Sequence, residues 1–397
     1  EHKKLWRKKI VKICVLLCFV YCVIFGSILS FQWFCFGSSD DYTSAFGNNF
    51  DGYTVIKDSQ EYALSFGGEL TDETLQQIVS DYQQMEADGM EKELEKTDWQ
   101  IVNSWLGTLY PELRDTSNYK TMISYVDPDK LTGFYERRQQ VLDEFLEISG
   151  QVGAEKEFLH QMERKVEKPF HYEWVEGWST LLGSMVADLG VVMALFLGIV
   201  LSSLFAGEWH DNTSTLVLTT RNGWGKIALA KILTGFAFTV ELFALLAVSS
   251  IISQLFFMGT AGWDMPIQNI KLIAVAPMNM LQAEIYEYAF VLLGAIGFAG
   301  IVMFISAAVK NNVLTLLLSL AVVYGPMMIA EYLPYEMQKA LDLIPLVGSS
   351  TDIFRTNTFR IFGKLIWSPY LLITIPVLIG ILCMPFAIKS WSRRMKA

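Results

Sequence analysis

The sequence predicts an all-α polytopic membrane protein: six transmembrane helices with a mainly helical extracellular domain inserted after the first. Three observations predict it. Hydrophobic residues make up 52% of the 397 and charged residues only 18%, against about 25% charged in an ordinary soluble domain. Six stretches are apolar over lengths that cross about 30 Å of hydrocarbon. Charge is also unevenly spread: residues 37–178 hold 29 of the 41 acids and 12 of the 31 bases, a net of −17, while the remainder nets +7. Greasy composition with low charge excludes a disordered chain. The acidic segment argues against nucleic acid, whose affinity comes mostly from Lys and Arg on phosphates.

The spans are read in order. Ile13–Phe36 runs 24 residues without a charge, and Trp178–Ala206 carries only Asp188. Ile232–Met258 carries only Glu241. Tyr288–Val309, Val313–Ala330 and Leu365–Ile388 carry none. The first run is long and lacks a small-residue cleavage site, so it reads as an anchor rather than a signal peptide. Its Cys14, Cys18 and Cys22 fall on one helical face, either as small packing residues or as metal or redox groups. The fourth and fifth cysteines, Cys35 and Cys383, lie in or beside apolar runs, and residues 37–178 contain none. An exported domain without disulfides points to a Gram-positive surface.

Orientation follows from bases near the span ends. Lys3, Lys4, Arg7, Lys8, Lys9 and Lys12 precede the first span, and Arg221, Lys226 and Lys231 lie between the second and third. Lys310 lies between the fourth and fifth. Lys389, Arg393, Arg394 and Lys396 follow the last. These segments share one side, which the rule makes cytoplasmic, with both termini inside and residues 37–178 outside. Arg355, Arg360 and Lys364 in the last outer loop dissent modestly.

Within residues 37–178 a strand is expected in Asp51–Ser65, where Tyr53 and Val55 begin an alternation that Lys57 breaks. Thr71 opens a helix with Leu75, Ile78, Val79, Tyr82 and Met85 at helical spacing. A second helix covers Gly133–Ile148 and a third Ala154–Lys168, stopped by Pro169. Charges Glu163, Arg164, Lys165, Glu167 and Lys168 read as a solvated face. Tyr172, Trp174 and Trp178 read as rings at the membrane surface. The domain organisation is thus 1–36, a basic segment and first span; 37–178, the acidic domain; and 179–397, a five-helix membrane domain.

Catalytic motifs are missing. The pairs Gly225-Lys226 and Gly363-Lys364 lack the rest of a phosphate-binding loop. The four histidines, His2, His160, His171 and His210, have no metal-ligand spacing, and no GxSxG elbow occurs. The chain reads as no enzyme, with no cofactor of its own.

The informative segment is the inner link, 205–221. It reads as a short amphipathic helix with Leu216, Val217 and Leu218 apolar and Arg221 at its end, followed by the turn Asn222-Gly223. On spacing alone, a solvated connector stands beside the functional reading. The whole pattern resembles the permease of a type-2 ABC exporter: one span, an outer domain of about 140 residues, then five clustered spans. Locally, Glu208, Ser214-Thr215, Leu216–Leu218, Thr219-Thr220 and Arg221 are similar to the family's coupling helix. The chain departs from the pattern in having no Pro before the Arg, and Thr213-Ser214-Thr215 where Gly-Thr is usual.

The resemblance implies that 208–221 docks on a separate nucleotide-binding ATPase, which would hold ATP and magnesium. Glu208 would fix the elbow of the second span. Thr213, Thr215, Leu216 and Leu218 would make the contact, with Arg221 anchoring the far end. It also implies a dimer with a second copy or a related permease, in the cell membrane. The last outer loop, Glu331–Lys364, with its apolar stretch Ala340–Val347, would be a re-entrant segment, or else a plain loop; Trp263–Gln282 is a similar case. Asp188 and Glu241 are membrane acids with no base at comparable depth. They read either as translocation-path contacts for a cationic substrate or a proton-linked switch, or as hydrogen-bonded packing residues.

The expected function is ATP-driven export of an amphipathic cargo: an antimicrobial peptide, drug or lipid-like molecule. The alternative is a surface receptor or sensor whose acidic domain binds a partner. A mechanotransmitting relative with four spans fits less well, because six spans are read here.

Overall fold

The computed structural model describes residues 1–24, 60, 67–89, 99–115, 118, 120–182, 186–210, 225–347 and 357–393. Among these the chain is mostly helical, with two small two-stranded sheets. Five helices are long and apolar enough to cross a membrane.

The basic start forms α1 (His2–Arg7) and α2 (Lys9–Val23), broken at Lys8, whose backbone is extended. The rest of the predicted first span, residues 25–36, lies outside the described residues, as does all but Gln60 of the strand expected in Asp51–Ser65.

The acidic domain opens with β1 (Gly68–Leu70) and α3 (Asp72–Ala87). Thr71 caps α3 as its sequence requires, its hydroxyl accepting from the Thr74 amide at 3.2 Å. Leu75, Ile78, Val79 and Tyr82 are buried, the helical stripe read from their spacing. α4 (Trp99–Leu109) follows; it was not foreseen, although Val102, Trp105, Leu106 and Leu109 are its buried face. Next come α5 (Phe134–Ile148) and α6 (Ala154–Glu163). Gly133 starts α5 at φ 71°, a left-handed backbone that glycine adopts without strain. Asp72 accepts from the amides of Gly133 and Phe134 at 2.7 and 3.0 Å, tying the start of α5 to the start of α3.

β2 (Phe170–Tyr172) pairs antiparallel with β1, so the domain closes where it opened. Three-residue strands are too short to show an alternation, and neither was foreseen. Two expectations need correction here. α6 ends at Glu163 rather than Lys168, and Glu163 is not on a solvated face. It is 3% exposed and accepts from Arg138 Nη1 at 2.6 Å and Lys168 Nζ at 2.8 Å. A buried carboxylate needs such partners.

α7 (Glu176–Thr180) leads to the bundle: α8 (Val186–His210), α9 (Lys226–Met258), α10 (Met280–Val309) and α11 (Asn312–Ile329). α12 (Tyr335–Leu341), β3 (Thr358–Ile361), β4 (Lys364–Trp367) and α13 (Ser368–Arg393) complete the chain. α10 is the axis: it packs most extensively on α13 and α8, and also on α9 and α11. α10 and α13 approach backbone to backbone, because Gly297, Gly300 and Gly380 meet at the crossing. A Cβ on Gly300 would stand 2.6 Å from Gly380 Cα.

The span limits also move. α8 crosses over Asp188–Trp209, not from Trp178. Trp178 and Trp174 are not surface rings but 4% and 1% exposed. Their indole N–H groups donate to the carbonyls of Thr260 and Met258, satisfying orphan oxygens at the end of α9. Tyr172 is equally buried.

The segment between α9 and α10 belongs to the acidic domain's packing rather than to a separate insert. Arg138 donates to the carbonyls of Leu272 and Ala274 at 2.7 and 3.1 Å, and Trp105 to that of Asn269 at 2.9 Å. The stretch after α12 reaches deeper. Leu346 packs on Gly294 and Pro345 on Gly297, both midway along α10. In the following hairpin, Arg360 pairs with Glu155 at 3.0 Å, which accounts for one dissenting base.

Candidate functional site

The bundle end remote from the acidic domain carries an ion-pair knot. α8 runs from the domain to its last turns at Glu208 and Trp209, and α9 starts back at Lys226. α1 lies across both. Glu208, 5% exposed, accepts on one oxygen from Lys4 Nζ at 2.6 Å and from Lys231 Nζ at 3.0 Å. Lys231 is 2% exposed and also donates to the Leu204 carbonyl at 2.8 Å and to Glu1 at 3.3 Å. A buried pair, Glu208 and Lys231, is thus joined from the solvent side by the more exposed Lys4 and Glu1. Positive charge here also opposes the negative end of the α8 dipole. Lys8 donates to Ser203 at 3.0 Å, one to two turns earlier on α8.

Neighbouring side chains stiffen the same end. Ser306 of α10 donates to the Ser202 carbonyl at 2.6 Å and accepts from the amides of Phe205 and Ala206 at 3.1 Å. Trp391 of α13 meets Phe205 and Trp209 edge-on, and Lys310 stands 4.2 Å from the centroid of the Trp209 ring. Lys310 has φ 65° and caps α10, while Asn311 accepts from the Leu314 amide to start α11. The base-containing link Lys310-Asn311-Asn312 is thus a tight turn. The arrangement is a mechanical pin: it fixes the end of α8, the start of α9 and α1 relative to one another, and residues 211–224 connect across it.

Of the coupling residues read from the sequence, Glu208 is in the pin. Thr213, Thr215, Leu216, Leu218 and Arg221 lie outside the described residues. In the sequence, Lys4 and Lys231 serve only as orientation signals. The signal that could have found Lys231 is an acid closing one span and a base opening the next.

The two membrane acids have separate partners. Asp188 is exposed in the first turn of α8, hydrogen-bonded to Tyr21 of α2, and a helix N-terminus suits its charge. Glu241, whose side chain is 43% exposed, accepts from Trp6 Nε1 at 2.9 Å and meets His2 Nε2 at 3.0 Å. The expectation that no base reaches its depth is therefore corrected: the break at Lys8 lays α1 along α9, with Leu5 buried and Trp6 edge-on to Phe238. Cys14, Cys18 and Cys22 are buried together on α2, and among the described residues no three His, Cys, Asp or Glu side chains gather as ligands for a metal ion.

Compared with family models, curated proteins and solved structures, the chain has no match. The helices themselves carry one conclusion. This is a helical membrane protein.

Proposed function

We propose that this chain is the membrane subunit of an ATP-driven exporter of the type-2 ABC kind, with six spans, the acidic domain outside and 208–221 as its coupling helix. The observation that carries the reading is the pin at Glu208. A force applied to residues 211–224 would reach α8, α9 and α1 together, because Glu208 and Lys231 bind their ends into one unit. Such a rigid unit is what a two-state bundle needs to be switched from one end. The unpaired apolar faces of α11 and α13, with Leu314, Leu317, Leu318, Leu378, Leu382 and Phe386 exposed, suit lipid or a second permease copy. The segment at Leu346, midway along α10, would lie within the bilayer above the cargo path.

Three measurements test this. First, in a background without the five native cysteines, a single cysteine near residue 90 should react with an impermeant thiol reagent on intact cells, and one near 395 should not. The reverse pattern discards the orientation. Second, the isolated chain should not hydrolyse ATP, since no phosphate-holding loop exists; turnover should require an ATPase partner. Third, Leu216→Asp should abolish co-purification with that ATPase and transport, because a charge stranded in an apolar groove is costly. Arg221→Ala should weaken it less, by about 1 kcal/mol or below for an exposed pair. If Leu216→Asp binds and transports like the wild type, the link is only a connector and a receptor becomes the better reading.

A further inference from the structure

α9 and α10 form an antiparallel pair beneath the acidic domain, and one bond sets their register. Ser250 Oγ and the Tyr288 hydroxyl lie 2.9 Å apart. One helical turn closer to the domain on each helix stand Gln254 and Glu284, which that register brings opposite one another. Gln254 is 0% exposed and Glu284 is 3% exposed. Neither amide atom of Gln254 has a hydrogen-bond partner among the described residues, and the Glu284 carboxylate has only the Tyr288 hydroxyl within reach, a hydroxyl it shares with Ser250. Glu287 is buried on the next turn of α10, and both glutamates lie within electrostatic range of Tyr288.

A fully buried amide with neither atom partnered, one turn from a buried carboxylate, is a situation native interiors avoid. An ionised carboxylate without a counter-charge is worse still. Among the described residues, the titratable groups near this point are Glu287, Tyr286 and Tyr288 of α10, Cys22 of α2 with Tyr21 and Asp188 beyond it, Tyr370 of α13 and Glu176 of α7, while the lysines of α2, α9 and α13 stand toward the far ends of those helices. None of the nearby groups can supply a positive charge.

We propose that Gln254, Ser250, Glu284 and Tyr288, with Glu287 beside them, bind a small inorganic cation at the joint between the bundle and the acidic domain. The donors are a carboxylate, an amide carbonyl and two hydroxyls, an oxygen-only set of the kind hard cations take. Size argues against the charged group of an organic cargo, because every one of these residues is buried. A proton on Glu284 is the competing account, since the neutral carboxyl could exchange hydrogen bonds with the Gln254 amide, and the test below separates the two. The Met258 carbonyl one turn above holds Trp174 of the domain approach, so an ion here would fasten the α9–α10 pair directly under the domain. The inference stands apart from the transport reading.

The test uses the full chain, purified in detergent in N-methyl-D-glucamine chloride at constant ionic strength and pH. Its thermal unfolding is followed while sodium or calcium replaces the organic cation. The wild type should gain on the order of 3–5 °C in Tm at saturation with at least one of the two. Glu284→Gln should be as stable as the wild type in the organic cation or more so, and should respond to neither ion. Gln254→Leu should keep a single transition but need about tenfold more cation for the same shift, which keeps the test open should Glu284→Gln fail to fold. A wild-type Tm insensitive to both ions overturns the site. So does a gain that survives intact in Glu284→Gln, which would place the ion on the acidic domain. A Tm that follows pH alone overturns it too, leaving Glu284 as a protonated packing residue.

Discussion

Glu208 and Lys231 show how much a single pair can carry when it is shielded from water. Their charges attract strongly because both are nearly closed off, but each depends on the other to offset lost hydration. Removing one is therefore worse than removing both. Glu208→Gln should destabilise the folded chain by roughly 3–5 kcal/mol, the range for a buried pair broken on one side. The double variant Glu208→Gln, Lys231→Met should recover most of that loss. Thermal unfolding of the purified variants in detergent checks both, and equal losses in single and double variants would mean the pair is solvated. Glu163 gives a pH prediction. Burial pushes its carboxyl up, but hydrogen bonds from Lys168 and Arg138 outweigh this, and its pKa ends below the usual value of 4.5. Such a group stabilises fully above that value and progressively loses its contribution as pH falls through the lower folded value. Acid unfolding between about pH 5 and 3 should therefore shift when Glu163 is replaced by Gln, with no change in slope above pH 6.

At the scale of elements, the crossing of α10 and α13 depends on missing side chains. The Pro376 carbonyl lies 2.3 Å from where a Cβ of Gly297 would be, and Gly380 Cα 2.6 Å from where one of Gly300 would be. Backbone cannot step aside as a flexible side chain can. Gly300→Val should abolish folded, monodisperse protein on size exclusion. Gly325→Ala, on α11 where a Cβ meets nothing within 4 Å, should be tolerated and gain slightly in helix propensity. α10 illustrates a second point. Its apolar run predicts a start at Tyr288, yet the helix begins at Met280, where Asn279 and Gln282 form a capping box. The two extra turns carry Glu284 and Glu287, so the hydropathy pattern ends where the polar cluster begins.

For the whole molecule, the domain and the bundle are joined through the chain between α9 and α10. Arg138 contributes a buried part of that joint, with its guanidinium on Glu163 and on two carbonyls of that chain. Asn269 donates to the His171 carbonyl at 2.6 Å from the other side. Arg138→Met should leave those acceptors unpaired, costing on the order of 2–4 kcal/mol. Hydrogen exchange should accelerate across 265–275 and in α5 while α10 and α13 stay protected. Uniform acceleration over the whole chain would mean that the joint is not a separate unit.

Helical class, the apolar spans and the capped start of α3 were legible in the sequence because each rests on neighbours within a turn or two. Thr71 and its four buried apolar residues lie inside a dozen positions, and a run of apolar side chains needs no partner to be recognised. Glu208 was legible as one residue of a local pattern, but its partners were not. Lys4 and Lys231 reach it from 204 and 23 residues away. Glu163 shows the same limit: among alternating charges it reads as solvated, but Arg138 from a different helix joins the nearby Lys168 in pairing with it where it is buried. Trp174 and Trp178 were read as rings at a lipid surface, since amphipathic aromatics suit that place. The end of α9 offered them carbonyls instead, and a buried indole goes where its N–H is satisfied. Local spacing thus determined what the elements are. Which polar groups lie buried together was decided only by packing, because burying a charge is favourable only where the fold brings its counter-charge to it.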